Sequence, residues 1–150
     1  MSEPIYTTTQ TDKYSVPSFE RIEPKACDLP LVADEILDIV ERKDIHTVET
    51  TCDYEKVGYC CFRIGEDGDL EVERLAYHRD HVQQGLDSLF AIMLDTPMLK
   101  TPKIRIKWPE FDMDNPTFKY LLDRGFVVAE MESYFYTAYG EKWDAIILEK

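Results

Sequence analysis

The chain has 150 residues, of which 44% are hydrophobic and 12% aromatic, so it is long enough to fold as one domain around a single core. This composition excludes a disordered or fibrous protein. A formal net charge of −13 at pH 7 argues against sequence-independent binding to nucleic acid, because such binding depends on lysine and arginine side chains that neutralise phosphates.

The cysteines and the N-terminal residues indicate the cellular setting. Cys27, Cys52, Cys60 and Cys61 have no CxxC spacing, and the first ten residues have neither the basic nor the apolar region of a signal peptide. No apolar run approaches the roughly 20 residues that cross a bilayer. We therefore expect a soluble cytoplasmic protein with reduced cysteines and no membrane partner.

The first half of the chain predicts an arm, a strand, a helix and a hairpin. Residues 1–17 are polar, rich in threonine and closed by Pro17, so we expect a flexible N-terminal arm before a single domain over 18–150. Residues 19–22 predict a short strand. A helix opened by Asp28 and Pro30 follows, with apolar residues at helical spacing. The hairpin has strands at 57–64 and 70–77 around a turn at 66–69.

The second half alternates helices and strands. An apolar helix is predicted from near Gln83 to 96–97, then a strand at 103–108 and a helix from Pro116 to Gly125. Residues 126–131, continued through 133–137, and 143–149 predict the closing strands. This order favours a mixed sheet with helices on its faces.

The junction between the second hairpin strand and the helix near Gln83 suits an anionic ligand. The helix points unpaired backbone N–H groups and the positive end of its dipole back toward the strand, where a pyrophosphate can bind to main chain alone. Gly85 permits close approach.

Three segments resemble the GNAT superfamily of N-acyltransferases. Residues 75–80 (LAYHRD) are similar to the fourth strand and following turn of that family, and 82–87 (VQQGLD) lie where its Arg/Gln-x-x-Gly-x-Gly/Ala loop belongs. Residues 121–126 (LLDRGF) resemble the segment in which a tyrosine often precedes Gly-Phe. The tail, 134–136 and 140–147, looks most like the branch that acetylates protein N-termini, including ribosomal-protein alanine N-acetyltransferases.

The resemblance implies an α/β (α+β) fold with a mixed, mostly antiparallel central sheet and helices on both faces. It also implies acetyl-CoA as co-substrate, bound in a wedge between the strand ending at Tyr77 and the strand ending near Trp108. Main-chain groups of Leu75 and Tyr77 would bind the pantetheine arm, and residues 83–88 the pyrophosphate. The cofactor-binding residues carried over are Leu75, Ala76, Tyr77, Val82, Gln83, Gln84, Gly85, Leu86, Asp87 and Ser88.

Amine acylation requires a base that removes a proton from an ammonium group. A carboxylate on the fourth strand can do this directly or through water. We place Glu71 first, with Glu73 on the same strand face and Glu110 at the end of the neighbouring strand as alternatives. The alternative interpretation makes Glu71 and Glu73 solvent-facing charges on a half-buried strand.

Protonation of the departing thiolate calls for an acid, and Leu121 stands where the family often has its tyrosine. Tyr120, one place earlier, and Tyr136 are the remaining candidates. In such positions a tyrosine is more often a packing residue or a substrate wall.

Val82 and Asp87 depart from the family loop. At roughly 5 Å, a carboxylate and a phosphate charge repel by about 1 to 3 kcal/mol, although an acidic residue in a first helical turn also stabilises its own helix. We predict no metal site, because adjacent Cys60 and Cys61 on a strand point to opposite faces.

Two functional hypotheses follow. The first is transfer of an acetyl group from acetyl-CoA to a primary amine, with a peptide N-terminus favoured over a small amine, by a monomer or homodimer. The second is a catalytically inactive GNAT-fold protein that acts in binding or assembly, motivated by Val82, Asp87 and Leu121.

Overall fold

The computed structural model of the chain describes residues 3–65, 68–94, 103–138 and 141–150, without the side chains of 94, 134–138 and 141–143. The helices in these ranges are α1 (Val16–Ala26), α2 (Ala33–Val40), α3 (Val82–Leu94) and α4 (Pro116–Asp123). The strands are β1 (Tyr6–Thr11), β2 (His46–Cys52), β3 (Glu55–Ile64), β4 (Leu70–Tyr77), β5 (Ile104–Pro109), β6 (Val127–Ala138) and β7 (Glu141–Glu149).

The strands form one sheet in the order β1-β2-β3-β4-β5-β7-β6. Neighbouring strands are antiparallel except β4 and β5, which are parallel because α3 lies between them in the chain. The predicted fold class, a mixed and mostly antiparallel sheet with helices on both faces, is confirmed.

The two faces of the sheet carry separate apolar cores. Side chains of β4 and β5 such as Leu75, Tyr77 and Ile106 pack under α3 and α4. On the opposite face, Tyr59 and Cys61 of β3 pack under α1 and α2. Because side chains alternate along a strand, neighbouring residues of β3 and β4 belong to different cores.

The prediction of a flexible arm over residues 1–17 is wrong for most of that segment. β1 pairs antiparallel with β2 from Tyr6 opposite Cys52 to Thr11 opposite Thr47. Threonine is a β-branched residue that favours strands, and a polar strand is tolerated at the edge of a sheet. Pro17 lies in the first turn of α1, where its missing N–H is not needed.

The predicted strand at 19–22 is also wrong, because these residues belong to α1. Phe19, Ile22, Glu23 and Ala26 are all buried, at the i, i+3, i+4, i+7 spacing of a helix face. A window of four residues is too short to show this period. The next helix, predicted to open at Asp28 and Pro30, begins only at Ala33. The carboxylate of Glu35 accepts a hydrogen bond from the N–H of Val32 at this start.

The hairpin and the elements after it are confirmed. β3 and β4 form the hairpin, α3 starts one residue before the predicted position, and β5, α4, β6 and β7 follow in the predicted order. The predicted end of the α3 helix at 96–97 lies outside the described residues. Asn115 caps α4 by accepting a hydrogen bond from the N–H of Thr117 at 2.9 Å. Across the described ranges, the helices are all too short or too polar to span a bilayer.

Candidate functional site

The parallel strands β4 and β5 separate halfway along their length. They pair only at Leu70–Ile104, Glu71–Arg105 and Val72–Ile106. Beyond that point β4 stays paired with β3, and β5 with β7. The backbone edges of 73–77 and 107–109 therefore face each other without pairing. We call this opening the fork and its closed end, at Val72 and Ile106, the vertex.

A β-bulge in β4 coincides with the vertex. Val72 is opposite Phe62 and Arg74 is opposite Cys61, so Glu73 is the extra residue on β4. The bulge bends β4 away from β5. It also directs the side chains of Leu75 and Tyr77 to the same core as Val72, although an uninterrupted strand would direct them to the other face.

Glu73 is held at the vertex by cations from both neighbouring strands. Its side chain is 4% exposed, with Oε2 3.2 Å from Nζ of Lys107 on β5 and Oε1 3.3 Å from Nη2 of Arg63 on β3. Two cations offset the cost of burying the carboxylate. From the sequence, Glu73 was only an alternative to Glu71, because a bulge cannot be seen in the alternation of residues.

Glu71 lies beside Glu73 on the more exposed part of the same face. Its Oε2 accepts a hydrogen bond from Nε of Arg63 at 2.7 Å, and its side chain is 30% exposed. Glu110 lies apart, exposed in a short 3-10 helix after β5. Arg63 thus joins Glu71 and Glu73, whereas Glu110 takes part in none of the ion pairs found within the described ranges.

A charged groove of about 150 Å³ opens on this face of the sheet. Besides Arg63 and Glu71 it is lined by Lys107 and by Glu130 and Glu132 of β6. Its acidic and basic residues alternate across the strands, with Nη2 of Arg105 2.5 Å from Oε1 of Glu130. Such a groove can bind a charged or polar chain beside Glu73.

The junction between β4 and α3 has the predicted order of strand, turn and helix. Its glycine, Gly85, is needed for a contact inside the protein. A Cβ at Gly85 would lie 3.0 Å from Cδ2 of Tyr77, so Gly85 lets α3 pack against that buried ring. Val82 and Leu86 face the core, whereas Gln83 and Gln84 are exposed.

Asp87 is engaged by α4. Its Oδ1 accepts a hydrogen bond from the hydroxyl of Tyr120 at 2.5 Å and lies 3.7 Å from Nη1 of Arg124. Gln83 donates to its Oδ2 at 3.2 Å. Arg124 therefore offsets part of the negative charge of Asp87.

Tyr120 belongs to this same contact between α3 and α4. Its hydroxyl donates to Asp87 and accepts a hydrogen bond from Nη1 of Arg124 at 2.8 Å. Burial and the hydrogen bond to Asp87 raise the pKa of Tyr120. Leu121 is fully buried in the core. The side chain of Tyr136 lies outside the described residues.

β1 is hydrogen-bonded to the β4–α3 junction, a link that was not predicted from the sequence. A chain of hydroxyl hydrogen bonds runs from Ser88 to Thr8 at 2.8 Å, from Thr8 to Thr50 at 2.7 Å and from Thr50 to Tyr77 at 2.7 Å. The run of β-branched threonines in residues 7–11 was the signal that could have predicted a strand here. Leu75, Ala76 and Tyr77 have buried side chains, so this part of β4 presents main chain to the fork.

Three of the four cysteines, Cys27, Cys60 and Cys61, are buried core residues. Burial raises the pKa of Cys27 and of Cys61 to about 12, and it raises the pKa of Cys60 well above the ordinary value. A thiol kept protonated in this way is a poor nucleophile.

Comparison with known proteins was made by sequence and by structure. No family model matches the sequence, and no curated protein matches it. Solved structures do match. The ribosomal-protein-S18-alanine N-acetyltransferase from Escherichia coli superposes with a TM-score of 0.69 at 17% identity, over 97% of this chain and 92% of that one. The chain has the GNAT fold.

Two further structures extend the likeness. A protein of the GNAT family from Desulfovibrio desulfuricans matches with a TM-score of 0.71 at 18% identity, over 97% of this chain and 98% of that one. Arabidopsis thaliana NAA60, solved in complex with acetyl-CoA, matches with a TM-score of 0.66 at 10% identity over the same shares. The GNAT fold is thus kept over nearly the whole chain at low sequence identity.

Proposed function

We propose that the protein is an N-acetyltransferase that transfers an acetyl group from acetyl-CoA to a primary amine. The observation that carries this proposal is the fork. Pantetheine has two amide groups that need backbone partners, and the facing edges of 73–77 and 107–109 provide them as an open sheet edge does for an added strand.

The β4–α3 junction fits the nucleotide end of the same molecule. The first N–H groups of α3 and the positive end of its dipole favour a pyrophosphate, with the main chain of 83–88 as its binding segment. Side chains at Val82 and Leu86 point to the core and leave this backbone accessible. The ion pair of Asp87 with Arg124 reduces the repulsion that an acidic residue would exert there.

Glu73 is the best-placed base in the described part of the site. It lies at the vertex, next to the groove that opens toward β6, and its carboxylate pairs with Lys107 and Arg63. When bound, acetyl-CoA supplies an acyl carbon activated as a thioester. Glu73 accepts a proton from the ammonium group, directly or through water. The neutral amine then forms the C–N bond as the C–S bond breaks, and the proton that the nitrogen loses in this step passes to the departing thiolate.

The other two requirements need no further side chain. A backbone N–H of β4 polarises the thioester carbonyl. The departing thiolate needs a proton, but a thiol with a free pKa of about 8.5 is already a fair leaving group. Tyr120 is committed to Asp87, so we assign it to packing between the helices.

The acceptor that we favour is a peptide N-terminus. The matching E. coli structure is that of a ribosomal-protein-S18-alanine N-acetyltransferase. In this chain the groove beside Glu73 is also lined by Glu132, which takes part in none of the ion pairs found within the described ranges and can attract a cationic amine. We further infer a cytoplasmic enzyme, monomeric or homodimeric, with neither nucleic acid nor membrane as partner.

Acetyl-CoA binding and thiol release test the proposal in two steps. A ligand at 100 times its dissociation constant stabilises the folded state by about 2.7 kcal/mol, so acetyl-CoA is expected to raise the melting temperature by several degrees. Free thiol is then measured with a panel of peptides that differ in their N-terminal residue. Failure to bind acetyl-CoA at millimolar concentration would refute the proposal.

The inactive GNAT-fold protein remains the second candidate. The observation in its favour is that Leu121 is buried and Tyr120 is bonded to Asp87, so neither supplies an acid. Binding of acetyl-CoA without thiol release for any peptide or small amine would select this candidate.

A further inference from the structure

A second pocket, of about 260 Å³, lies between α1 and the beginning of β3. α1 contributes Ser18, Arg21, Ile22 and Lys25, β3 contributes Glu55 and Lys56, and the seventh residue of the lining is His78. His78 directly follows β4 and begins the turn that leads into α3. His78 thus connects the pocket, through the turn at 79–81, to the start of α3, where the proposed function places a pyrophosphate.

The charge of this pocket is opposite to that of the protein. Acidic residues outnumber basic ones 30 to 17 in the sequence, yet Arg21, Lys25 and Lys56 meet a single carboxylate, Glu55, in the lining. Such a local excess of cations in an acidic chain attracts anions.

Two of these cations are not neutralised by the protein. Lys56 lies 3.1 Å from Glu49, but in the described ranges no carboxylate lies within 4.0 Å of the charged groups of Arg21 or Lys25. Arg21 and Lys25 are four residues apart on α1 and so share a helix face, an arrangement of like charges that destabilises a helix. A bound anion would remove this repulsion.

His78 adds a hydrogen-bond donor. Its Nδ1 accepts a hydrogen bond from the N–H of Asp80 at 3.0 Å. A backbone N–H can only donate, so the neutral ring carries its proton on Nε2. Burial lowers the pKa of His78, which favours this neutral form. The neutral imidazole of this lining residue thus carries an N–H donor on Nε2.

We propose that the pocket formed by Arg21, Lys25, Lys56 and His78 binds a phosphate group. Arginine pairs with phosphate oxygens through a planar fork of N–H groups, and lysine contributes a mobile point charge. One source is the 3′-phosphate of CoA, and this part of the inference rests on the proposed function. The other source is free inorganic phosphate.

Calorimetry with three ligands separates the sources. Wild-type protein is titrated with CoA, with 3′-dephospho-CoA and with inorganic phosphate. The same titrations are made on the double variant Arg21→Ala/Lys25→Ala. The matched control, Arg42→Ala/Lys43→Ala, removes one arginine and one lysine from exposed positions at the end of α2, outside the pocket.

If the 3′-phosphate is the ligand, the double variant is expected to bind CoA about tenfold more weakly and dephospho-CoA unchanged, since one lost phosphate contact is worth roughly a factor of ten. If free phosphate is the ligand, its binding is lost in the double variant and kept in the control. If both double variants bind each of the three ligands with the same affinity, the inference is overturned.

The outcomes also distinguish this inference from the proposed function. If the wild-type protein binds inorganic phosphate but no CoA, and the double variant Arg21→Ala/Lys25→Ala loses phosphate binding, the pocket is supported and the transferase is refuted. Equal wild-type affinity for CoA and dephospho-CoA, with no uptake of inorganic phosphate, refutes the pocket and leaves the transferase standing.

Discussion

The ring of Tyr77 occupies the space that a side chain at Gly85 would need. A Cβ at Gly85 would lie 3.0 Å from Cδ2 and 3.3 Å from Cε2 of the ring, and one at Gly58 would lie 2.3 Å from Cδ2. The ring is thus clamped between β3 and α3, and its hydroxyl is bonded to Thr50. The position of α3, and with it the proposed pyrophosphate site, depends on this contact.

Gly85→Ala is therefore expected to destabilise the protein by about 1 to 2 kcal/mol, as overpacking of a core does. At an open helical position the same change would stabilise by about 1 kcal/mol. Urea unfolding measures the difference, and acetyl-CoA affinity is expected to fall with it because α3 must shift.

Gly65→Ala is the control, since its Cβ would meet nothing closer than 3.6 Å. We expect a change below about 0.5 kcal/mol for it. A Gly85→Ala protein that is more stable than wild type would show that the ring of Tyr77 can move aside.

Glu73→Gln is expected to lower kcat by about 100-fold or more, in the range that general-base catalysis contributes. Because Glu73 lies at the vertex and not at the β4–α3 junction, the KM for acetyl-CoA is expected to stay within about twofold. Steady-state kinetics with a saturating peptide measures both quantities.

Glu71→Gln and Glu110→Gln are the matched variants, and we expect smaller losses from both. Glu71 is more exposed and Glu110 lies after β5. A larger loss in Glu71→Gln than in Glu73→Gln would return the base to the position that the sequence interpretation placed first.

The success and failure of the sequence interpretation have physical reasons. The β4–α3 junction was predictable because an alternating strand, a polar turn and an apolar helix each have a local pattern. Residues 19–22 were misread because four residues cannot separate a period of 2 from one of 3.6. The pairing of β1 with β2 and the bulge at Glu73 depend on register between strands, which a single sequence does not record.

Charge pairing was equally beyond the sequence. Asp87 was expected either to repel a phosphate or to stabilise its own helix. In the structure it pairs with Tyr120 and Arg124 of the segment that follows β5. No spacing along the chain relates position 87 to position 124, because only the packing of α3 on α4 brings them together.

Tyr120→Phe is expected to leave kcat within about twofold of wild type and to lower stability by about 1 kcal/mol, the value of a typical hydrogen bond. The reason is that its hydroxyl joins Asp87 and Arg124. Tyr14→Phe, at a side chain that is 82% exposed, is the control for stability. A fall of kcat by 100-fold with acetyl-CoA binding intact would instead identify Tyr120 as the acid.

Glu23→Gln is expected to destabilise the protein by about 3 to 5 kcal/mol, because it leaves the buried guanidinium of Arg74 without its counter-charge. Both side chains are buried, and the carboxylate also accepts hydrogen bonds from Tyr59 and from the N–H of Leu31. Chemical denaturation gives the value.

The control for Glu23 is Asp38→Asn, which breaks the exposed i, i+4 pair with Arg42 and is expected to cost less than about 0.5 kcal/mol. A cost below 1 kcal/mol for Glu23→Gln would mean that water reaches Arg74.

Asp112→Asn is expected to stabilise the protein at pH 7.5 and to have little effect at pH 4. Burial raises the pKa of Asp112 to about 6, with Asp28 as a neighbouring carboxylate. Between the unfolded pKa of about 3.9 and this folded value, the folded state binds more protons than the unfolded state, so stability falls as the pH rises.

Above pH 6 the ionised carboxylate of Asp112 carries the full cost of its burial. Replacing it with the neutral amide of asparagine is expected to raise the free energy of unfolding by about 1 to 3 kcal/mol, at 1.36 kcal/mol per pKa unit. The asparagine keeps the hydrogen bond to Nδ2 of Asn115, which Oδ2 of Asp112 accepts at 3.0 Å. Asp114→Asn, an exposed position two residues away, controls for the lost net charge. Most other carboxylates titrate equally in the wild type and in both variants, so the difference in unfolding free energy between the two variants isolates Asp112. A gain in stability that is the same at pH 4 and pH 7.5 would contradict the raised pKa of Asp112.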